Sequence, residues 1–560
     1  MSPIDIFTIL LFTVGVICSG SAFAGKGKNM KSFFAAGGSV PWQISGLSLF
    51  MSFFSAGTFV VWGSIAYSLG WVSVSIQWTM AIAGFLVGWY IAPRWNKTGT
   101  LTVAEYINKR LGAGTQKAYT NLFLLISICT TGAFLYPVAK IIEVSTGLSL
   151  TTCIVLLGSM YILYAALGGL WAVIVTDVLQ FVILTAAVII VIPLSIDRVD
   201  GITTFIQSAP DTFFHFLNGE YTLGFIIAFG VYNIIFLGGN WAFVQRYTSV
   251  RTAKDARKAG ILFGSLYLIS PILWMLPPMI YRILNPELAG LENESAYLEI
   301  CKDVLPHGLL GMMLGGMIFA TASPFNSMLN ISSGVFTNDI FKRLKPQSAD
   351  KTLIRVARLS TIGFGVLAIL FALLIPLMGG IVNVVISIAA LTGVPLYLPV
   401  IWSLFSKRQT GTSILTATLL SLLVNVTFKF LIPALFSFSL NRADEMILGV
   451  CFPVFTLAFF EIYYLLKNKI SDKYHTYLMW EKENTEKKMH LTKEENQTSL
   501  ANNTFSIKII SIGIAITGLL VSGLGYIADS GKEVIFIVGF CLMLLGVFIW
   551  KTGLKKTNIL

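Results

Sequence analysis

The chain has 560 residues, of which 55% are hydrophobic and 12% are charged. This composition, with a mean hydropathy of +0.78, excludes a soluble globular protein and indicates a polytopic membrane protein. The net charge of +12 does not indicate a nucleic-acid partner. The basic residues are explained instead by their positions in the segments that connect the membrane spans, as described below.

Long apolar runs predict fifteen membrane-spanning helices, since about 20 apolar residues cross the hydrocarbon core of a bilayer. The runs occupy residues 4–24, 40–67, 71–93, 118–142, 150–167, 172–194, 222–244, 259–281, 309–337, 354–377, 381–404, 411–437, 444–467, 507–528 and 533–550. They predict an all-α protein whose main partner is the lipid bilayer.

The distribution of Lys and Arg predicts the orientation of these helices. Most basic residues fall in or beside alternate connecting segments, namely 25–39, 94–117, 245–258, 338–353, 405–410, 468–506 and 551–560. By the positive-inside rule these segments are cytoplasmic. We therefore expect a multi-pass protein of the plasma (inner) membrane, with the N-terminus outside and the C-terminus in the cytoplasm.

The first span resembles a signal peptide in its composition. Its leading residues, MSPID, carry no positive charge, and Lys26, Lys28 and Lys31 follow the span instead of preceding it. This order predicts an uncleaved helix.

The second span carries Ser52, Ser55 and Thr58 in mid-membrane, beside Gly57. Small polar residues with glycine favour a break in the helix, which is tolerated at membrane depth where the freed backbone lines a cavity or binds something. Tight packing through small residues explains the same pattern. This span alone does not decide between the two.

Residues 165–180 contain the only ionisable group of this region, Asp177. Gly168-Gly169 is predicted to form a turn at the inner surface, with Asp177 about one turn into the next helix. The carboxylate either interacts favourably with that helix's N-terminus or relays a cation on the cytoplasmic side.

The seventh span is also interrupted, by Phe236-Leu237-Gly238-Gly239-Asn240, after Tyr232 and Asn233. The interruption comes five spans after the one in the second span, and because five is odd the two helices cross in opposite directions. Two glycine-interrupted helices in matching places of two inverted halves indicate the binding site of a secondary transporter. Spans two to six and seven to eleven are then the paired halves.

The segment Gly311–Phe341 is apolar but carries polar residues in its middle. Ser323, Ser327 and Asn330 share one helix face, and Pro324 leaves the carbonyl of Ala320 without its helical donor. A freed carbonyl beside a hydroxyl offers two ligands to a cation. Helix–helix packing through small polar residues is the alternative.

Several other classes of protein are disfavoured. The chain lacks a Gly-rich phosphate loop with Lys-Ser/Thr and an Arg ladder, which argues against an ATP-driven pump and a voltage-gated channel. The spans hold no paired acid/base groups or metal cluster, so an enzyme is not expected. A solute sensor would need the charged segment 468–506 as its output, and we expect that segment to be a solvated cytoplasmic linker.

Three stretches resemble the solute:sodium symporter family, which includes sodium/glucose, proline and pantothenate symporters. They are Gly168-Gly169-Leu170 with Ala172-Val173, Thr176-Asp177 and Gln180; Asn240 to Gln245-Arg246 with Ala253, Ala256 and Arg257; and Ser327-Met328-Leu329-Asn330 with Thr337-Asn338-Asp339-Ile340. The likeness covers roughly residues 1–410. Trp241 departs from the pattern, which has Gln at its position.

The resemblance implies the five-plus-five inverted-repeat fold of leucine-type amino-acid transporters, with one extra N-terminal helix and about four extra C-terminal helices. The implied organisation is an N-terminal helix and loop in 1–39, a first repeat in 40–200, a second repeat in 201–410, two peripheral helices in 411–467, a charged cytoplasmic linker in 468–506, and two peripheral helices with a tail in 507–560.

The resemblance also implies a Na+ site between the first broken helix and the 309–337 helix. Its ligands would be the backbone carbonyls of Met51, Phe54 and Ala320 and the hydroxyl of Ser323, with Asp177 as an ion-exit or gating residue. The family usually has a second hydroxyl at the position of Pro324, and a lost oxygen weakens a hard-cation site. Proton coupling or uncoupled transport is therefore the alternative.

The implied solute site consists of Thr58, Gln77, Asn233, Phe236 and Tyr267. Asn233 resembles a sugar-binding asparagine, Gln77 replaces an acidic residue, Tyr267 replaces a lysine, and Phe236 takes the place of an aromatic inner gate. A neutral, polar and aromatic cavity suits a small hydroxylated or amide-bearing solute. We expect a sodium-coupled symporter with a sugar or polyol as first choice, no cofactor besides the coupling ion, and a carboxylate left open.

Overall fold

The computed structural model describes residues 2–21, 40–100, 102–165, 170–489 and 493–557. The predicted turn at Gly168-Gly169 and the lysines at 26, 28 and 31 lie outside the described residues. Regular structure in the described ranges is helical, apart from two isolated β-bridges.

The helices up to residue 198 are an N-terminal helix, which precedes the first half, and the broken helix and four further spans that form this half. They are α1 (Pro3–Ser21), α2 (Trp42–Met51), α3 (Gly63–Leu69), α4 (Val72–Leu86), α5 (Ala92–Lys97), α6 (Val103–Leu111), α7 (Ala113–Thr146), α8 (Leu150–Ala165) and α9 (Leu170–Arg198). π-Helical turns at Thr58–Trp62 and Val87–Ile91 lead into α3 and α5.

The second half repeats this order of elements. Its helices are α10 (Ile202–Ser208), α11 (Leu223–Gly239), α12 (Trp241–Thr248), α13 (Ala253–Leu284), α14 (Ala296–Val304), α15 (Leu309–Val335), α16 (Lys342–Leu344), α17 (Asp350–Leu374), α18 (Ile381–Ile388) and α19 (Val394–Phe405). 3₁₀ turns at Gly290–Ser295 and Ile375–Met378 and π-helical turns at Phe336–Phe341 and Ala389–Gly393 connect them.

The remaining helices lie outside the two halves. They are α20 (Gly411–Val426), α21 (Ile432–Phe436), α22 (Arg442–Leu466), α23 (Asp472–Met489), α24 (Lys493–Ile527) and α25 (Lys532–Thr557), with a π-helical turn at Thr427–Leu431.

Eleven helices among the described residues are long and apolar enough to cross a membrane, or twelve if α11 and α12 form one bent span. The other three predicted spans correspond to shorter apolar helices, which lie in α1, in Thr58–Leu69 and in α8. The chain is therefore a multi-pass membrane protein, as its composition predicts.

The second span is broken between α2 and α3, as predicted. In an uninterrupted helix the amide of Ser55 would bond to the carbonyl of Met51. It donates instead to Thr58 Oγ1 (3.3 Å), and the amide of Ala56 donates to Thr321 Oγ1 of α15 (3.0 Å). The break therefore depends on a contact with α15, which holds the chain in a non-helical path.

The seventh span is broken at Asn240, where α11 and α12 meet at an angle of 56°. Asn240 has an extended backbone (φ −63°, ψ 131°), and its Oδ1 accepts from the amide of Ala242 at 2.9 Å. Its Nδ2 donates to the hydroxyl of Tyr397 at 3.2 Å. The asparagine thus caps the new helix and ties the break to α19.

The extra helix α1 packs against α15 through a buried carboxylate. Asp5 Oδ1 accepts from the amides of Gly308 (2.6 Å) and Gly311 (3.1 Å), which lie at the N-terminus of α15. Amides at a helix start have no partner within the helix, so this carboxylate supplies one. A side chain at Gly311 would collide with the backbone of Asp5, at 2.2 Å from its carbonyl oxygen.

The expectation that the charged linker is solvated is wrong for its first part. Tyr477 of α23 is buried, and its ring packs perpendicular to that of Tyr106 in α6 at 5.6 Å. Ser471 is buried too, and Arg110 of α6 donates to its Oγ at 3.4 Å. Helix α23 therefore packs against the protein, because its aromatic residues form an apolar face that the charge count conceals.

Candidate functional site

A central cavity of about 180 Å³ lies between the two broken helices. All five residues predicted for the solute site, Thr58, Gln77, Asn233, Phe236 and Tyr267, line it. The structure therefore brings together side chains from four different spans. Solute binding by these residues stays a prediction.

Two amide side chains in the cavity wall have a fixed orientation. Gln77 Nε2 donates to the carbonyl of Ser73 at 3.3 Å, a group that can only accept. Asn233 Nδ2 donates to Thr79 Oγ1 at 2.8 Å, and that hydroxyl is itself committed as a donor to the carbonyl of Ile76. Both amides must therefore turn their carbonyl oxygens away from these partners.

The carbonyl oxygens of these two amides have no hydrogen-bond partner. Gln77 Oε1 and Asn233 Oδ1 are both buried and unpaired, and the two side chains are only 3% and 1% exposed. Buried polar atoms normally have a partner, so an unpaired pair at a cavity wall marks a place for one. The cavity wall thus contains two buried hydrogen-bond acceptors without a partner.

Aromatic rings form much of the remaining wall. The ring of Phe236 lies 5.9 Å from that of Phe53 and 5.4 Å from that of Phe243, in edge-to-face arrangements. Tyr267 packs on Phe50 at 5.2 Å. The residues that line the cavity include no Asp, Glu, Lys, Arg or His, so the cavity is neutral and aromatic, as the sequence predicts.

The three carbonyls predicted as Na+ ligands have all lost their helical donors. The amide of Ser55 donates to a side chain instead of Met51, as described above. The amide of Thr58 bonds to the carbonyl of Ser55 at 2.9 Å instead of Phe54. Pro324, four residues after Ala320, has no N–H to donate. Each of these carbonyls therefore lacks the amide donor that a regular helix would supply four residues later.

Ser323, the predicted fourth ligand, has a buried hydroxyl. Its side chain is 5% exposed, and its Oγ makes no hydrogen bond of acceptable geometry, although it lies beside the carboxylate of Asp177. The residues predicted for the ion site thus supply a set of oxygens suited to a hard cation. Their role as ligands stays a prediction.

Asp177 lies deeper than expected. It is fully buried, about two turns into α9, so it is not in the first turn of the helix, where the helix dipole acts. Its Oδ2 accepts from Ser48 Oγ of α2 at 2.7 Å, and its Oδ1 has no partner. The carboxylate therefore connects the first broken helix to α9 and reaches Ser323 of α15.

Sequence reasoning missed the buried charge of Arg246 in α12. Its side chain is 1% exposed, its Nη1 donates to the carbonyl of Ala242 at 2.9 Å, and its Nε and Nη2 have no partner. It attracts Asp177 electrostatically without forming an ion pair with it. The sequence signal that could have indicated this buried charge is the pair Gln245-Arg246, which follows an apolar run directly.

A second cavity of about 300 Å³ lies beyond the central one. Its polar lining comes from α6, α7, α12 and the turn after α15, and includes Glu105, Asn108, Gln116, Gln245 and Asp339. Trp241 also lines it and stacks on Phe123, with ring centroids 4.3 Å apart and planes 4° from parallel. Neither this cavity nor this stack was predicted.

Comparison with solved structures gives the fold. A Na+-coupled sialic acid symporter, solved in a substrate-bound outward-open state, matches 81% of this chain and 96% of its own length, with a TM-score of 0.69 at 22% identity. The predicted five-plus-five inverted-repeat fold is thereby confirmed, with α1 and the spans after α19 as additions.

Comparison with sequences gives the family. The sodium/glucose cotransporter of Vibrio parahaemolyticus is 26% identical over 82% of this chain and 90% of its own length. The sodium/glucose cotransporter 1 of Ovis aries is 27% identical over 63% of this chain and 60% of its own length. The pattern that describes the sodium:solute symporter family matches residues 33–420, which is most of the chain. The chain therefore belongs to the sodium:solute symporter family.

Proposed function

We propose that this sodium-coupled symporter carries a small, uncharged solute that donates hydrogen bonds, with a sugar or polyol as first choice. Family membership makes the chain a transporter and not an enzyme, with Na+ and a small solute as its partners. The observation that carries the solute class is the pair of unpaired oxygens, Gln77 Oε1 and Asn233 Oδ1.

The chemistry of those oxygens selects the solute. Both are acceptors, so a bound solute must present hydroxyl or N–H groups to satisfy them. A carboxylate has acceptors only, and the cavity lining holds no cation to balance its charge. Burying an unbalanced charge is costly. A neutral ring compound with hydroxyl groups meets both requirements and stacks on the aromatic wall.

The ion site supports sodium coupling. The freed carbonyls of Met51, Phe54 and Ala320 and the hydroxyl of Ser323 would surround the ion, with the negative charge of Asp177 beside it. The four ligand groups belong to the first broken helix or to α15, so an ion between them favours the arrangement in which those two segments are in contact. Solute and ion are coupled when both favour the same arrangement.

A second candidate is a proton-coupled carrier. Asp177 is a buried carboxylate with one unpaired oxygen next to Ser323, so it is placed to accept a proton in place of a nearby cation. The missing hydroxyl at Pro324 favours the same alternative, because a site with fewer oxygens binds Na+ less tightly.

We further propose that the N-terminus is outside and the C-terminus is in the cytoplasm of the plasma (inner) membrane. The basic residues of segments 94–117 and 245–258 support this orientation by the positive-inside rule. Glu105, Asn108 and Gln245 belong to these same segments, so the second cavity faces the cytoplasm.

Uptake into proteoliposomes tests the function. A labelled hexose, a cyclic polyol and a monocarboxylate are supplied with an inward Na+ gradient, with an inward proton gradient, or with neither. Accumulation of the hexose or polyol that requires the Na+ gradient is the expected result. Accumulation of the monocarboxylate alone would overturn the solute class, and uptake driven by the proton gradient but indifferent to Na+ would overturn the ion.

A further inference from the structure

Phe123 and Trp241 form a flat stack in the interior of the protein. Phe123 is on α7 and Trp241 is the first residue of α12, and they are 2% and 6% exposed. The parallel rings meet face to face across the contact between two helices that are distant in sequence. Such a contact is either made or absent, because rings pushed a few ångströms apart lose nearly all of their attraction.

The stack lies between the two cavities. On α7, Gln116 lines the second cavity, Phe123 is two turns later, and Ile126 lines the central cavity. On α12, Trp241 lines the second cavity and Phe243 lines the central one. A solute that moves from one cavity to the other along this interface must pass the two rings.

The aromatic residues at the floor of the central cavity are a separate layer. Phe53, Phe236 and Phe243 contact one another there, with Phe53 and Phe243 centroids 4.3 Å apart. Trp241 is not among the residues that line that cavity. It also departs from the family pattern described above, which has Gln at this position.

We propose that the Trp241–Phe123 stack is an inner gate, which closes the path from the central cavity to the second cavity until α12 and α7 separate. The proposal rests on the proposed function, in which the second cavity is the route to the cytoplasm. The gate acts by holding two helices together, so Trp241 is a positioning residue and need not touch the solute.

Thiol labelling from the inner face measures this gate directly. Thr130, which lines the central cavity, is replaced by Cys, and inside-out vesicles without Na+ or solute are treated with a membrane-impermeant maleimide. Modification at position 130 is quantified by peptide mass spectrometry, which separates it from the native cysteines. We expect Trp241→Ala to raise the inner labelling rate about fivefold, because the closed state loses its stacking contact.

Three further variants complete the experiment. Phe123→Leu keeps an apolar side chain but removes the stack, and should raise the inner labelling rate as Trp241→Ala does. Trp241→Phe restores a ring and should return the rate toward that of the parent. Trp89→Ala, which removes an exposed tryptophan that is not part of the stack, should leave the inner labelling rate unchanged.

The outcomes separate the gate from the proposed function. Unchanged inner labelling in Phe123→Leu or Trp241→Ala, in protein that remains monodisperse, would overturn the gate. Labelling that rises equally from the outer face would also overturn it, because that result means general loosening. Since no ion or solute is present, faster inner labelling supports the gate even if uptake proves independent of Na+.

Discussion

At the scale of single residues, the site depends on hydrogen bonds that orient other side chains. Thr79 binds no solute in our proposal, yet its hydroxyl decides which end of the Asn233 amide is left without a partner. The backbone carbonyl of Ser73 does the same for Gln77. The orientation of the amides in the solute site is therefore determined by neighbouring residues that do not themselves contact the solute.

Thr79→Val tests this orientation at nearly constant volume. Without the acceptor hydroxyl, the Asn233 amide can turn its NH₂ toward the solute, and one acceptor is lost. We expect the solute concentration for half-maximal uptake to rise about three- to tenfold, the value of one neutral hydrogen bond. Thr79→Ser, which keeps the hydroxyl, should behave as the parent, and an equal response of the two variants would contradict the orientation argument.

Ser323→Ala tests the ion site. It removes one proposed ligand, so we expect the Na+ concentration for half-maximal uptake to rise several-fold, measured as uptake against Na+ concentration at fixed solute. Ser332→Ala is a matched control, because Ser332 is buried on the same helix but donates to Ser127 Oγ at 3.0 Å. An unchanged Na+ dependence in Ser323→Ala would remove this residue from the ligand set.

Pro324→Ser adds a hydroxyl where the family usually has one. An additional oxygen should bind a hard cation more tightly, so we expect a lower Na+ concentration for half-maximal uptake in the same assay. Loss of transport would show instead that the freed carbonyl of Ala320 is the more important contribution of the proline.

At the scale of elements, each half of the fold carries a short segment after the span that follows its broken helix. In the first half this is α6, which lines the second cavity on one face and contacts α23 on another. In the second half it is the 3₁₀ turn Gly290–Ser295, which precedes α14. By our orientation the first segment is cytoplasmic and the second is outside, so each can cover one end of the transport path.

The outer segment is held by Glu294, which is 4% exposed. Its Oε2 accepts from the hydroxyl of Tyr136 on α7 at 3.1 Å, and its Oε1 accepts from the amide of Ile381 at the start of α18 at 3.0 Å. Burial raises the pKa of this carboxyl above its ordinary value of 4.5, and nearby Glu143 raises it further, while both hydrogen bonds and Lys140 lower it.

This shift predicts that the outer segment opens more readily as the pH rises. When the segment is open, the Glu294 carboxyl is solvated and has its ordinary pKa, so the closed state binds the proton more tightly. Closure is favoured at low pH and weakens as the pH rises from 4.5 through the raised pKa. Glu294→Gln, which cannot ionise, should remove this dependence.

Labelling of Trp62→Cys from the outer face measures the opening, because Trp62 lines the central cavity. The labelling rate of Trp62→Cys is divided by the labelling rate of the double variant Trp62→Cys, Glu294→Gln. This ratio cancels the pH dependence of the thiol itself. We expect this ratio to increase with pH, and a ratio that is constant across the range would contradict the assigned role of Glu294.

The contact of α23 with α6 makes a prediction about stability. Tyr477→Ala should cost about 3 kcal/mol by leaving a cavity against Tyr106 and should lower the thermal transition of the detergent-solubilised protein. Met479→Ala, at a neighbouring position that is 67% exposed, is the control and should have little effect. Equal transitions in the two variants would mean that α23 is not packed in solution.

At the scale of the whole molecule, the sequence predicts the architecture well for a physical reason. Lipid demands long apolar helices, and interruptions of such helices by Gly, Ser and Asn are conspicuous, so both breaks were predictable. The five positions around the central cavity followed from the family resemblance, because the fold fixes which positions face inward.

Contacts between distant segments were not predictable in the same way. Nothing in the local pattern pairs Trp241 with Phe123, or Asp177 with Ser48, since neither pair shares an element. The packing of α23 was missed because its charges outnumber its aromatic residues. These features depend on which helices meet, which composition and spacing do not encode.

The carboxylate of Asp5 has a consequence for how the beginning of the chain is treated in the laboratory. Helix α1 resembles a cleaved signal peptide in composition. A recombinant protein designed on that assumption would begin after Ser21. Such a protein would lack the acceptor for two backbone amides at the top of α15, the same helix that carries Ala320 and Ser323.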